Sequence, residues 1–462
     1  MEEIFNKILA RIKPDERIRN TVLRIYDELQ SIIHKCFEQK GLEHFEVTLQ
    51  GSVAKDTFLR DDVDIDIFIL FNPSHYTVDW INKNFVEVVS QCLQEKGYSI
   101  VVEYASHPYI ITHVDGYEIN IVPAFKISKP SEIISAVDRT PFHTEYVKAK
   151  LCEECKDEVR LLKYFLKVWN MYGAEIKTRG FSGYLTELLI IKYGSFINTL
   201  KASLSWRAYK TCIDIEGYYV DEKECRNRFR NDVLVIVDPV DANRNVASAL
   251  SLKNFAMFKL LARLFLENPS ENFFEMKIDE VSEEYNQKIL RNRIFDEGLC
   301  YIAIKFDVTK KIPDVVWGQI RRIHNSIRNT LNEYGFRCTY IDSWVDPALS
   351  KAITIVELYE CREYEYHIGP PAYDPNAVDF LIKNRHAVIG PWIDENGRLV
   401  CIRKRRKNPE DIVKEVLEQI SPSSLRIAEI TRVLSIHDVS IDEDKSYMMW
   451  LKRFLERKIL NY

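Results

Sequence analysis

The chain is 462 residues long, 46% hydrophobic and 29% charged, a balance that excludes a disordered chain and leaves length for several cores. Gly (15) and Pro (16) are scarce, which excludes collagen-like and linker-rich designs. Lys and Arg total 64 against 69 Asp and Glu, a formal charge of −5, so a globally basic nucleic-acid binder is not indicated, although a local basic face remains open.

In chain order, a first long helix is expected over 15–40, where Ile18, Val22, Ile25, Leu29, Ile32 and Cys36 share one face. A strand at 46–50 leads into Gly51-Ser52-Val53-Ala54-Lys55-Asp56-Thr57-Phe58. The stretch 62–71 alternates: Val63, Ile65, Ile67 and Ile69 point one way, Asp64, Asp66, Phe68 and Leu70 the other. A helix over 78–96 and strands at 99–104 and 109–114 follow, and Asp115-Gly116 signals a hairpin into a strand at 117–122, closed by Pro123. From 157 to Gly173 the pattern turns helical, with further helices at 182–196 and 246–267 and a short strand at 233–237. Beyond this, strands at 301–306, 337–341 and 353–359 with helices at 314–334 and 376–384 make a β-α-β-β-α order, a small α+β sandwich. The tail has a strand at 399–403 and amphipathic stretches at 409–420 and 445–459.

No apolar run reaches the ~18–20 residues needed to cross a bilayer, and Met1-Glu2-Glu3-Ile4-Phe5 lacks a secretory signal, so a soluble cytoplasmic protein is expected. Of ten cysteines, only Cys152-Glu153-Glu154-Cys155 forms a CxxC. No second ligand pair follows, so reduced thiols are expected rather than zinc.

The chemistry concentrates between Gly51 and Asn120. Asp64 and Asp66, two apart on a strand, share a face and are placed to hold hard cations. Burying them beside Phe68 and Leu70 is costly without a cation. Ser52 and the backbone amides of the Gly51-Ser52 turn are placed to hold a triphosphate, and Lys55 adds a point charge.

Gly51-Ser52…Asp64-Ile65-Asp66 resembles the signature of the DNA polymerase β-type nucleotidyltransferases. Val137-Asp138-Arg139-Thr140-Pro141-Phe142-His143, Arg179-Gly180-Phe181-Ser182-Gly183-Tyr184-Leu185 and Asp238-Pro239-Val240-Asp241…Arg244-Asn245 resemble the archaeal (class I) CCA-adding enzymes. The match runs from about residue 10 to 270 and continues more weakly through Gly369-Pro370 and Asn384-Arg385. The resemblance implies an α+β multidomain fold: a mixed-sheet nucleotidyltransferase head (1–150), a helical neck (151–270), a small α+β body (271–375) and an α/β tail (376–462). It implies template-independent addition of C, C and A to the 3′ end of tRNA from CTP and ATP, with two Mg²⁺ ions. Asp64 and Asp66 would ligate metal. Gly51, Ser52 and Lys55 would meet the triphosphate, though the family commonly has Arg where this chain has Lys55, and Lys lacks the planar fork. His143, Lys163 and Tyr172 would line the nucleotide pocket. Lys163 shares a helix face with Arg160 and Lys167. Taken alone, that is a solvated face. Arg244 carries the donors to read a base edge, or it pairs with Asp241.

One position departs from the family. Its third metal carboxylate is an Asp where this chain reads Glu118-Ile119-Asn120-Ile121-Val122-Pro123, and that position is Asn120. An amide offers a neutral oxygen and no charge, so metal binding and catalysis would weaken here. The chain is then an inactivated Asp→Asn variant, a natural enzyme in which Glu118 takes over, or a binding-only relative. The otherwise intact site favours the first. Another poly(A) or oligonucleotide nucleotidyltransferase is the alternative within enzymes, and a catalytically dead tRNA-binding protein the alternative outside them. The run Arg403-Lys404-Arg405-Arg406-Lys407 is expected to contact the acceptor stem or TΨC arm of tRNA. The region 447–462 is expected to pack within the chain, and a homodimer stays open.

Overall fold

A computed structural model describes residues 1–104, 106–275, 282–309, 312–359, 361–441 and 445–457. The chain divides into two compact units, Met1–Met276 and Lys277–Tyr462.

The first unit opens with a helix that the sequence reading did not anticipate, Glu2–Ile12, followed by the expected Glu16–Gln39. The five-stranded sheet runs in the order Phe45–Gln50, Asp64–Phe71, Tyr117–Phe125, Pro108–Val114, Val101–Tyr104. Its central pair, Asp64–Phe71 and Tyr117–Phe125, is parallel and the other pairs are antiparallel. Alternation sorts the faces. Ile65, Ile67, Ile69, Ile119 and Ile121 are buried against Val22, Ile25, Leu29 and Phe37 of the long helix and Phe85 and Val89 of Val78–Gln94. The other face is apolar at one end, where Phe68 and Leu70 meet Ala124, and carboxylate-rich at the other. Pro123 does not end its strand, which runs on to Phe125. Proline has no N–H to give a ladder, but the neighbouring strand on that side pairs only as far as Ile121.

Helices make up most of the rest of this unit. Thr140–Lys150, Cys155–Val168, Gly183–Tyr193, Phe196–Ser203 and Leu252–Glu267 gather around Phe165, Phe181, Phe196, Phe258 and Phe265. The N-terminal helix joins this core through Ile8 and Ile12. Gly183–Tyr193 buries Leu185, Thr186, Glu187, Leu188, Leu189 and Ile190 in succession, so it is enclosed on all sides. Ser182 caps its start, accepting from the Leu185 amide at 3.1 Å, and Gly194 at φ +81° ends it. A small sheet of Cys212–Ile213, Val235–Asp238 and Asp241–Asn245 lies beyond.

In the second unit, an antiparallel sheet runs Cys338–Val345, Lys351–Leu358, Cys300–Val308, Leu425–Arg432. The helix expected at 376–384 does not complete this sandwich. Pro409–Ile420 does, beside Pro313–Glu333, through Ile412, Val413, Val416 and Leu417. Ala377–Lys383 instead packs on a separate sheet of Tyr364–Pro371, Arg398–Lys404 and Ile389–Ile393, where the Phe380 ring occupies the space a Cβ would need at Gly369. The C-terminal helix Lys445–Glu456 packs within the chain, burying Tyr447, Leu451, Phe454 and Leu455 with Tyr301 and Ile355. Residues 458–462 lie outside the described set. No helix among the described residues is long and apolar enough to cross a membrane.

The reduced-thiol expectation is overturned. Eight of the ten cysteines pair as Cys36–Cys92, Cys152–Cys155, Cys212–Cys225 and Cys300–Cys361, leaving Cys338 and Cys401 free. Partners 56 and 61 residues apart leave no trace in local spacing.

Candidate active site

The carboxylate face and the glycine turn form one steric unit. Parallel register sets Asp64 beside Glu118 and Asp66 beside Asn120. Gly51 opens the short helix Gly51–Ala54 at φ +70°, and a Cβ there would lie 1.9 Å from Asp66 Oδ2. Only glycine fits that approach. The turn closes when the Thr57 amide donates to the Ser52 carbonyl at 2.9 Å. Burial and the Asp64 charge push the Asp66 carboxyl up to about 6, against Lys55 and a long Asn120 Nδ2 contact at 3.4 Å. Asp64 is raised as well, by burial and then by Asp62 and Glu118. Asn120 therefore stands in register with Asp66 on the carboxylate face, where it supplies an amide rather than a third carboxylate.

Facing these groups is a buried charge cluster. Glu187 Oε2 accepts from Lys55 Nζ at 2.6 Å and its Oε1 from Thr57 Oγ1 at 2.6 Å. Lys163 Nζ donates to the Thr57 carbonyl at 3.0 Å and lies 3.6 Å from Glu187. Burial lowers Lys163 to about 8 despite Glu187. Burial alone would raise Glu187, but Lys55 and Lys163 hold it below the usual carboxylate range. Tyr172 is close by: a Cβ on Gly183 would sit 2.9 Å from its hydroxyl and 3.9 Å from Lys163 Nζ.

The face of Arg160, Lys163 and Lys167 is not solvated. Arg160 donates to the Asp56 carbonyl (2.5 Å) and carboxylate (2.6 Å) and to the Phe58 carbonyl (3.1 Å), and Lys167 pairs with Asp62. Successive turns of one helix thus hold the loop between the glycine turn and the carboxylate strand.

Arg244 pairs with Asp238, Nη1 to Oδ2 at 2.7 Å, and Asp241 is taken by Arg139 at 3.1 Å. The alternative of an Arg244 pair with Asp241 is not the one that forms. His143 Nε2 lies 2.9 Å from the same Asp238 oxygen, and its ring stacks on Tyr184 at 4.0 Å. Burial lowers His143 below the usual imidazole value, with Asp238 acting the other way. Sequence reasoning missed Glu187 and Asp238 as site groups. Glu187 had a signal: it is the lone carboxylate in Leu185–Ile191, numbers 185–191 being otherwise apolar or threonine.

Comparison with known proteins falls on this frame. Residues 31–143 match the nucleotidyltransferase domain, 157–275 the second domain of tRNA nucleotidyltransferase and 297–425 the C-terminal domain of CCA-adding enzyme. The CCA-adding enzyme of Pyrobaculum islandicum is 36% identical over 90% of this chain and 94% of its own length. The chain belongs to the CCA-adding enzyme family. Other CCA-adding enzymes, of Saccharolobus shibatae and Sulfolobus acidocaldarius, are 37% identical over 89% of this chain and 91% of their own length, and 33% over 97% of each, respectively. Within a CCA-adding enzyme fold, the described residues hold no group of three or more His, Cys, Asp or Glu placed to bind a metal. With Asn at position 120, Asp64 and Asp66 are the acids left on that strand pair beside Glu118.

Proposed function

We propose that this cleft binds CTP and ATP and adds C, C and A to the 3′ end of tRNA. The observation that carries the reading is the register of Asp64 and Asp66 against Asn120, with the Gly51-Ser52 turn pressed on Asp66. We read residues 1–150 as head, 151–270 as neck, 271–375 as body and 376–462 as tail, in a cytoplasmic enzyme.

Asp64 and Asp66 suit Mg²⁺. They are hard oxygen donors, and burial together with the neighbouring carboxylates raises both, so a divalent cation there would relieve like-charge repulsion. Bound there, Mg²⁺ would supply the Lewis acidity that activates the tRNA 3′-hydroxyl and neutralises the departing pyrophosphate. The protein groups do the positioning. Amides of the Gly51-Ser52 turn and the Ser52 hydroxyl face the triphosphate. Lys55 and Lys163, sharing the single carboxylate of Glu187, present one net positive charge toward it. Tyr172 and His143 wall the ribose and phosphates, and Arg244 meets the base. Asn120 keeps the shape of a ligand position without its charge, which favours binding over turnover. In the tail run, Arg403, Lys404, Arg405 and Lys407 are engaged by Glu365, Glu363, the Tyr334 carbonyl and Glu415, so Arg406, which is exposed, is the member best placed for RNA phosphate.

The test compares this chain with Asn120→Asp for incorporation of labelled CTP and ATP onto tRNA lacking its CCA end. The aspartate form should be faster by roughly 10²–10³-fold. Equal rates would move the third-ligand role to Glu118. Binding of tRNA without incorporation by either form would make this a binding-only relative.

A further inference from the structure

Asp238 is a buried side chain that the chemistry above leaves without a role. It ends the strand Val235–Asp238 and is 0% exposed. The Val240 amide donates to its Oδ1 at 3.0 Å, and so does the Tyr184 hydroxyl at 3.2 Å. These contacts fix the carboxylate plane. The other oxygen, Oδ2, receives Arg244 Nη1 at 2.7 Å and His143 Nε2 at 2.9 Å. One atom therefore holds two cleft side chains from different elements, His143 from Thr140–Lys150 and Arg244 from Asp241–Asn245. Arg244 remains 38% exposed, so the contact fixes its direction without enclosing it. A guanidinium gripped at one corner keeps further N–H groups in a fixed fork. Those groups are donors only. Cytosine N3 and adenine N1 are acceptors and suit them, whereas uracil and guanine carry an N–H at the corresponding ring position and do not.

We propose that Asp238 is the positioning residue for base selection: it aims the Arg244 fork at the ring edge and, through the shared Oδ2, ties that aim to His143. The proposal rests on the reading of Arg244 as the base-facing group. It assigns selectivity against UTP to a residue that touches no nucleotide.

Asp238→Asn tests it. The amide keeps the size of the side chain and an oxygen for the Val240 amide, but turns an NH₂ toward two donors. With the full-length protein bound to tRNA lacking CCA, dissociation constants are measured for CTP, UTP and inorganic tripolyphosphate. Binding needs no turnover, so Asn120 does not obscure it. The UTP-to-CTP ratio should fall by about tenfold or more, the scale of losing a charged hydrogen bond, while tripolyphosphate changes little. In an Arg244→Ala background, Asp238→Asn should change the ratio no further, because the effect passes through Arg244. Asp238→Ser, which removes the carboxylate without adding a donor of that reach, repeats the test if the amide disturbs folding. An unchanged ratio in both variants, or a full additional effect on Arg244→Ala, overturns the proposal. If the unaltered chain binds CTP no better than UTP, the base-facing role of Arg244 is itself wrong and the proposal falls with it.

Discussion

Asp64 and Asp66 differ in what surrounds them, and that difference makes a prediction. Asp66 is locked between Gly51 and Asn120, whereas Asp64, on the same face, sits beside Glu118 at the exposed start of the strand. Removing Asp64 therefore leaves the turn intact. Asp64→Ala should abolish the Mg²⁺-dependent part of CTP binding while leaving the melting temperature within a few degrees, measured by titration with and without Mg²⁺. Metal-dependent binding that persists at full strength would show that these carboxylates are not the ligands. Gly51→Ala should act differently. Its Cβ has no room beside Asp66 Oδ2, so the carboxylate or the turn must move.

At the scale of elements, the helix Gly183–Tyr193 carries a charge through an apolar interior. Glu187 is 0% exposed and is the shared partner of Lys55 and Lys163. Changing it to Gln strands two ammonium groups in a low-dielectric site. Chemical denaturation should show a loss of roughly 3–5 kcal/mol for Glu187→Gln, the usual cost of orphaning a buried charge. A loss below about 1 kcal/mol, the range of surface pairs, would mean the cluster is effectively solvated. The same elements show what could be read in advance. Periodicity marks Glu16–Gln39 and Pro313–Glu333, because each buries one face, and Asp64–Phe71 by the alternation of its isoleucines with Asp64 and Asp66 before both faces become buried. Asp64 and Asp66 are legible as a pair because strand alternation is local, whereas Asn120 joins them only through the family resemblance, since it lies 54 residues from Asp66 in sequence. The Asp238 and Glu187 networks are not, since their partners lie up to 132 residues away. Nor could the pattern tell that Ala377–Lys383 belongs to a second sheet, because a short amphipathic helix fits either one. Arg160 and Lys163 misled for the reverse reason: cations spaced along one helix face read as solvent-facing, yet both are buried against loop carbonyls and carboxylates.

For the molecule as a whole, each unit carries a long covalent staple. Cys36–Cys92 spans 56 residues in the first and Cys300–Cys361 spans 61 in the second. On the chain-entropy account, each cross-link of this span stabilises by about 4 kcal/mol, so full reduction should lower the melting temperature of both units in calorimetry. No shift in either transition would mean the thiols are unpaired in solution. The second unit should also respond to acid through His324. Its Nε2 is 2.7 Å from Ser343 Oγ, and burial, then Arg328 and Arg321, lower it from 6.5 to about 3. The unfolded chain protonates first. This stability is thus complete above pH 6.5 and is lost as pH falls toward 3, by up to about 1.4 kcal/mol per pH unit. His324→Gln should flatten that dependence.

The division of the chain at Met276 has a consequence in time. Every group assigned here to metal or nucleotide, from Gly51 to Arg244, belongs to the part synthesised first. On the function proposed above, the residues of the CTP and ATP pocket all precede Lys277 and so are translated before the second unit. Free nucleotide, abundant in any cell, is then available as a folding ligand for the first unit, and any stabilisation follows its concentration by mass action.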